Sequence, residues 1–522
     1  MPLNENIKVE MPAHCARVPK GGKIYIQYVK RAYRNARGQP TSERVAIGRL
    51  DEASGMLIPN RNYYEIFEQK QPESAPELVR SNGVHTVFDG VCEKLGIKRL
   101  LSSAFGDRAD KLLTVAQYML SEGNVMYYLS DWQDENLSFA KERLSDEAVS
   151  RLFASVGTAE RMSFFHDWIK KTYKGEYLAY DVSSISSYSK GIENLEWGYN
   201  RDREALPQIN FGMYYGEESR LPLYYRIYPG SITDKAHLKY MTEDNGLLGC
   251  GRVRYVMDRG FYSADNMNFL TEKGCRFLIA LPGSLKYVRE LIEKHRGEII
   301  DSSECHLGFG LPYAKAYEST ELGFRMRVHL YYDPEKAARD SAELYGEIER
   351  VENELRGMEE PPDRSLHYDR YFFINRTKDG KLAYRKNYSA IDKRLRQGGF
   401  FVLAETDFNM SDKKALELYR RRDVIEKGFD DLKNGLDMRR LLVHSDDAVE
   451  GKAFCAFLAL IVRSYMHNML GDYMRKNHMT FRKLLLECAK SKLIIAPKYP
   501  TGSRQLNPHT KTMKDILALL SP

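Results

Sequence analysis

A twenty-residue stretch late in the chain, ALELYRRRDVIEKGFDDLKN (415–434), constrains the fold more than any other segment. It holds no Pro and one Gly, so it reads as a helix. At 3.6 residues per turn, and measured from Tyr419, Arg422 falls at about 300°, Lys433 at about 320° and Glu426 at about 340°. The four side chains are therefore expected on one face, within an arc of roughly 60°. Ile425, Phe429, Leu432 and Leu436 cluster on an adjacent face that can anchor the helix in a core. One acid among an Arg, a Lys and a Tyr suits phosphate chemistry, because Glu can hold a metal while Arg and Lys bind phosphate oxygens. A solvated, salt-bridged helix would show the same spacing, so the rest of the chain has to decide.

Two upstream aspartates do so. In EYLAYDVSSISSYSKG the apolar run Tyr177–Tyr180 reads as a buried strand that meets Asp181 and a cluster of Ser residues. In GRVRYVMDRGFYSADN, Val253, Tyr255 and Val256 give a second strand, and Asp258-Arg259-Gly260 an abrupt turn. Ser263 is then expected to cap a helix with Asp265 in its first turn. Either Asp alone is an ordinary strand-end residue; the order Asp, Asp, Glu is not ordinary. Between the two, residues 208–215 and 221–228 read as strands joined by the polar turn 216–219, and a helix starts near Thr233-Asp234. RFLIALP at 276–282 gives another strand.

The spacing Y-x2-R-x3-E-x6-K, the two aspartates, the run PQINFGMYYGEESRLPLYYRIYPGSITD between them and LLVHSDDAVEGKAFCAFLALIV (441–462) together resemble the DDE transposases of bacterial insertion sequences. The resemblance covers roughly residues 175–475. It implies an α/β fold with an RNase H-like core, a mixed five-stranded sheet with helices, interrupted by an insertion. It also implies that Asp181, Asp258 and Glu426 are catalytic and hold two divalent ions, Mg²⁺ or Mn²⁺, with Asp181 bridging them. Arg422 and Lys433 would grip phosphates near the scissile bond and Tyr419 the DNA backbone. Cleavage needs an activated water and a stabilised leaving oxygen, and two ions about 3.5–4 Å apart serve both needs.

The expected organisation is a basic β-rich region at 1–74, a helical candidate DNA-binding domain at 75–172, the core at 173–284, the insertion at 285–400, the core again at 401–475, and a basic region at 476–522. Residues 22–49 read as a hairpin in which Lys30, Arg31, Arg34 and Arg37 interleave with Tyr, as in a DNA-facing ribbon. The insertion holds strand-like stretches at 322–332 and 367–376 and a helix near 335–358 with a heptad seam. Related transposases use an insertion Trp to stack on a flipped base; here Trp132, Trp168 and Trp197 all precede the insertion, so a Tyr or Phe, or another route, is expected.

The net charge of +7 is unevenly spread. Residues 1–60 carry ten Lys/Arg against five Asp/Glu and residues 471–522 ten against three, which leaves the middle acidic. Basic ends around an acidic core fit a DNA enzyme. Seven scattered cysteines without a C-x-x-C pair argue against a zinc ribbon and a disulfide framework. The longest apolar run, 453–462, is too short to span a bilayer. These features give a cytoplasmic protein, nucleoid-associated when bound, with no membrane. Its expected partners are the double-stranded terminal inverted repeats and target DNA, bound as a homodimer. Two rivals remain: a metal-dependent nuclease that cuts without joining, and an inactive DNA-binding derivative acting as repressor or architectural protein.

Overall fold

The computed structural model describes every residue except 1–4, 6, 36, 68–77, 201, 363–366, 496–502, 505–508 and 521–522. Parts of the basic C-terminal stretch thus lie outside the described residues. The chain forms two compact units, Met1–Leu78 with Ile494–Arg504, and Val79–Leu493 with Gln505–Pro522.

The first unit holds a four-stranded antiparallel sheet in chain order: β1 (Cys15–Lys20), β2 (Lys23–Arg34), β3 (Pro40–Leu50) and β4 (Leu57–Pro59). The expected hairpin is β2–β3, at the centre of this sheet. Ile26, Ile47, Leu57, Tyr63 and Tyr64 form its core, the last two from helix α1 (Arg61–Ile66). The far half of β2, with Lys30, Arg31 and Arg34, is exposed, as is Arg37 beyond it.

The second unit opens with β5 (Leu78–Ser81), of which Val79–Ser81 belong to it, followed by a run of helices. These are α2 (Gly83–Leu95), α3 (Ile97–Phe105), α4 (Ala109–Ser121), α5 (Leu129–Glu135), α6 (Asp146–Ala154) and α7 (Thr158–Thr172). Ser145 caps α6 through Ala148 N–H, and Val149, Leu152, Phe153 and Val156 are buried as their spacing predicts.

The central sheet follows: β6 (Tyr177–Ser186), β7 (Gln208–Gly216), β8 (Pro222–Pro229), then helix α8 (Asp234–Leu247), β9 (Arg254–Met257), α9 (Ala264–Glu272) and β10 (Arg276–Leu281). Ser263 caps α9 as expected. β6, β7 and β8 are antiparallel neighbours, while β9 lies parallel to both β6 and β10. Those five strands are the sheet the sequence implies.

The sheet does not stop there. After α10 (Lys286–Ile299) come β11 (Tyr313–Ser319), β12 (Met326–Tyr332), α11 (Pro334–Arg356), β13 (Phe372–Arg376), β14 (Leu382–Lys386), α12 (Tyr388–Gln397) and β15 (Phe400–Glu405). β15 pairs with β10, β12 with β15 and β11 with β12, giving eight strands in the order β11-β12-β15-β10-β9-β6-β7-β8. Part of the stretch read as an insertion is thus continuous with the core sheet. The remainder is a small unit in which Leu344, Ile348, Val351 and Leu355 of α11 pack against Tyr371, Phe372 and Ile391. The heptad seam is spent inside the chain.

Helices α13 (Asp412–Arg421), α14 (Asp423–Asp430), α15 (Asp446–Lys476), α16 (Phe481–Cys488) and α17 (Lys511–Leu520) follow in the same unit. α15 is long and apolar enough to cross a membrane by length and composition, yet most of it is buried against α4, α6 and β8. Phe454 and Phe457 of α15 make edge-on contacts with Phe165 of α7.

Candidate functional site

Register places the first two acids. Tyr180 of β6 lies opposite Met257 of β9, and the strands run parallel. The next residues, Asp181 and Asp258, therefore stand side by side where β9 ends, about 4.8 Å apart along the hydrogen-bonding direction. The apolar runs before them are buried, which fixes this register against slippage. Asp181 Oδ1 accepts from Val182 N–H at 2.8 Å.

The third acid arrives on a helix that is not continuous. The segment expected as one helix bends at Arg422, between α13 and α14, and widens into a π turn over Asp431–Gly435. Its apolar face is as predicted: Ile425, Phe429, Leu432 and Leu436 are all buried. α14 packs on β6 and β7, with Gly428 against the Tyr215 ring. The start of α13 is pinned to the sheet, since His329 Nδ1 lies 2.6 Å from Asp412 Oδ1 and Tyr331 OH donates to the Asp412 carbonyl at 2.7 Å.

Three of the four signature side chains gather at the aspartates. Tyr419 OH donates to Asp258 Oδ1 at 3.0 Å. Arg422 Nη2 donates to Glu426 Oε1 at 2.7 Å, and its guanidinium lies 5.5 Å from the centre of the Tyr419 ring. Burial disfavours the charge on Arg422, but Tyr419, Glu426, Asp181 and Asp258 outweigh it and hold the guanidinium above its ordinary value. Arg422 therefore feels all three acids at once. Burial, with the Asp258 carboxylate beside it, pushes the Tyr419 phenol well up, so it acts as a neutral donor.

Lys433 does not join them. The π turn breaks the 100° stepping on which the common face was computed. Lys433 Nζ instead meets Asp202 Oδ2 at 2.6 Å, and Arg440 pairs with Glu204 at 2.8 Å. Asp202 and Glu204 sit in the loop between β6 and β7, so both ion pairs tie that loop to the end of the signature segment. The expected arc of four is corrected to a cluster of three. Likewise Tyr419, expected on a DNA backbone, is occupied by Asp258. The partners of Lys433 and Arg440 had no local signal, because they lie more than 200 residues upstream.

Among the described residues no three His, Cys, Asp or Glu side chains are close-set enough to hold an ion. The donor chemistry nonetheless fits a hard divalent cation: carboxylate oxygens only, two of them adjacent by register, and Glu426 more than half exposed on its Arg422 contact. The exposed Lys30, Arg31, Arg34 and Arg37 belong to the other compact unit.

Over residues 173–462 the chain matches the family model described as "Transposase DDE domain". That is more than half of its length, so the chain belongs to the DDE-domain transposase family. No curated protein matches it. Among solved structures, a cryo-EM piggyBac transposase synaptic complex with hairpin DNA is similar at 10% identity, covering 84% of this chain and 82% of its own, with a TM-score of 0.35. The assignment rests on the family match. Members of this family generally use divalent metal ions.

Proposed function

We propose that this transposase binds the terminal inverted repeats of an insertion sequence as a homodimer, cuts the DNA ends, and joins the freed 3′ hydroxyls to target DNA. The observation that carries the reading is the parallel register of β6 and β9, which sets Asp181 beside Asp258, with Tyr419 bonded to Asp258 and Arg422 bonded to Glu426. Asp181, Asp258 and Glu426 would hold two divalent cations, Mg²⁺ or Mn²⁺. Such ions, when bound, supply an activated water and a stabilised leaving oxygen.

The chain's own residues do the positioning. Tyr419 fixes the Asp258 carboxylate through one oxygen, as a hydrogen-bonded partner orients any ligating acid. Arg422 offsets part of the charge of the three acids in the DNA-free protein. Its Nε is buried and has no hydrogen-bond partner among the described residues, so a phosphate that reaches it could take one edge of the fork. Glu426, released from Arg422, then turns to the aspartates. Lys433 and Arg440 hold the β6–β7 loop through Asp202 and Glu204 and reach phosphates only by exchanging those acids.

A nuclease reading predicts cut ends without joined products. The discriminating experiment incubates the full chain with Mg²⁺, target plasmid and a duplex carrying the inverted repeats that bracket its gene. Joined strands are expected; complete cutting with no joining would favour the nuclease. An inactive derivative would give neither.

A further inference from the structure

We infer that Asp431 is a positioning residue: its ion pair with Arg463 of α15 fixes the π turn that carries Lys433 to the β6–β7 loop. Its role rests on the transposase reading above, in which Lys433 serves a phosphate at the reacting end.

A π turn gives up the regular helical ladder, so it is rare and needs support from its surroundings. Here Leu436 N–H donates to the Asp431 carbonyl, five residues back, at 2.8 Å. The carboxylate of the same Asp431 accepts from Arg463 Nε at 2.6 Å. His467, one turn further along α15, lies 3.5 Å from its other oxygen. Burial alone would raise the Asp431 carboxyl, but His467 and Arg463 outweigh it and hold it below its ordinary value. Asp431 is therefore ionised at neutral pH.

The same guanidinium meets the far end of the turn. Gly435 is its last residue, and a Cβ there would lie 2.5 Å from Arg463 Cζ. Arg463 is itself stacked, with its guanidinium 4.0 Å from the centre of the Phe481 ring of α16. One side chain thus spans the turn, paired with its first residue and packed on its last. Beyond the turn Asn124, fully buried in the α4–α5 loop, takes over. Its Nδ2 donates to the Asp437 and Arg440 carbonyls, at 2.8 Å each, and its own carbonyl accepts from Lys452 Nζ of α15 at 2.9 Å.

Lys433 lies between these two grips, buried, with its ammonium on Asp202. If the turn relaxed to α geometry, the residues beyond its start would shift by one position. That is a rotation of about 100° and a rise of about 1.5 Å, which takes the Lys433 ammonium away from Asp202 and from the reacting end. Asp431 acts through Lys433 and not on the reacting atoms.

The test is a double-mutant cycle on the full chain, read by cleavage of saturating terminal-repeat duplex in Mg²⁺, with duplex affinity and hydrogen exchange of the DNA-free chain alongside. Asp431→Asn should lower the cleavage rate by up to about 100-fold, the cost of a misplacement near 1 Å, while affinity changes little. In the Lys433→Ala background the same substitution should cost no more than about twofold, because losses that act through one side chain do not add. Gly435→Ala, which presses on Arg463 from the other end of the turn, should repeat both results and carries the test if Asp431→Asn fails to fold. Asp423→Asn, which removes an exposed acid of α14 paired with Lys427, should change neither rate nor affinity. Losses from Asp431→Asn and Lys433→Ala that multiply would mean that Asp431 only stabilises the chain, and would overturn the inference. A parent-like rate in Asp431→Asn, or an equal loss in Asp423→Asn, would do the same. Hydrogen exchange needs no activity: Asp431→Asn should speed exchange over Asp202–Leu206 as Lys433→Ala does, and the double variant no further. Faster exchange in a chain that never cuts leaves the placing of Lys433 by Asp431 standing and removes the transposition reading; cleavage by the parent with unchanged exchange in Asp431→Asn does the reverse.

Discussion

Replacing Gly428 with Ala sets two known effects against each other two residues from Glu426. Gly in a helix interior costs about 0.5–1 kcal/mol relative to Ala, so the substitution ought to stabilise α14. Here a Cβ would lie 2.5 Å from Tyr215 Cε2 and 3.1 Å from Cζ. The ring cannot step aside, because Tyr215 is 3% exposed and its hydroxyl is bonded to Ser464 of α15. Overpacking of this kind costs about 1–3 kcal/mol. The clash offsets or exceeds the gain, and the net loss should be about 0–2.5 kcal/mol. The cheaper escape is for α14 to lift off the sheet, which carries Glu426 away from Asp181 and Asp258. A misplacement near 1 Å can cost about 100-fold in rate. Urea unfolding and strand cleavage, measured on the same preparation, read both effects. Gly428→Ala should lose far more activity than stability. A variant more stable than the parent by about 1 kcal/mol and fully active would refute the packing argument.

Three further outcomes follow from the same geometry. Asp202→Asn should strengthen duplex binding and steepen its salt slope by up to about 0.9, because it leaves the Lys433 ammonium without its anion, whereas Lys433→Ala should lower cleavage more than affinity. Neutralising Lys30, Arg31, Arg34 and Arg37 together should flatten the duplex salt slope by about 0.9 for each phosphate the hairpin no longer binds, measured by anisotropy; an unchanged slope would remove the hairpin from DNA recognition. Burial pushes the Lys452 ammonium down to about 7, while the unfolded chain keeps that proton to about pH 10.4. The unfolded state then binds more protons across that window, so stability should rise with pH from about 7 upward, by up to roughly 5 kcal/mol in all. Lys452→Met should flatten that rise in urea titrations between neutral and alkaline pH.

The parts of this site that were legible in the sequence are those governed by local pattern. Asp181 and Asp258 each follow an apolar run, and the buried face of the signature helix follows its 3.6 period, so strands, acids and Ile425, Phe429 and Leu432 could all be located. What could not be read depends on partners distant in sequence. Lys433 looked like a phosphate ligand because nothing nearby announces Asp202, and a π turn leaves no signature in composition. The sheet grew from five strands to eight because β12 and β15 pair across an excursion of more than 60 residues, which hydrophobic period does not encode.

The central claim is that Asp181, Asp258 and Glu426 act as one carboxylate site. The most direct measurement is Mg²⁺-dependent nicking of an end-labelled terminal-repeat duplex by Asp181→Asn, Asp258→Asn and Glu426→Gln, with duplex affinity measured alongside. Each amide keeps the shape and removes the charge that holds a hard cation. All three variants should bind DNA nearly as the parent does, and none should cut it, in Mg²⁺ or Mn²⁺. Cleavage at the parent rate by any one of them, with metal present and removed by chelator as a control, would contradict the claim.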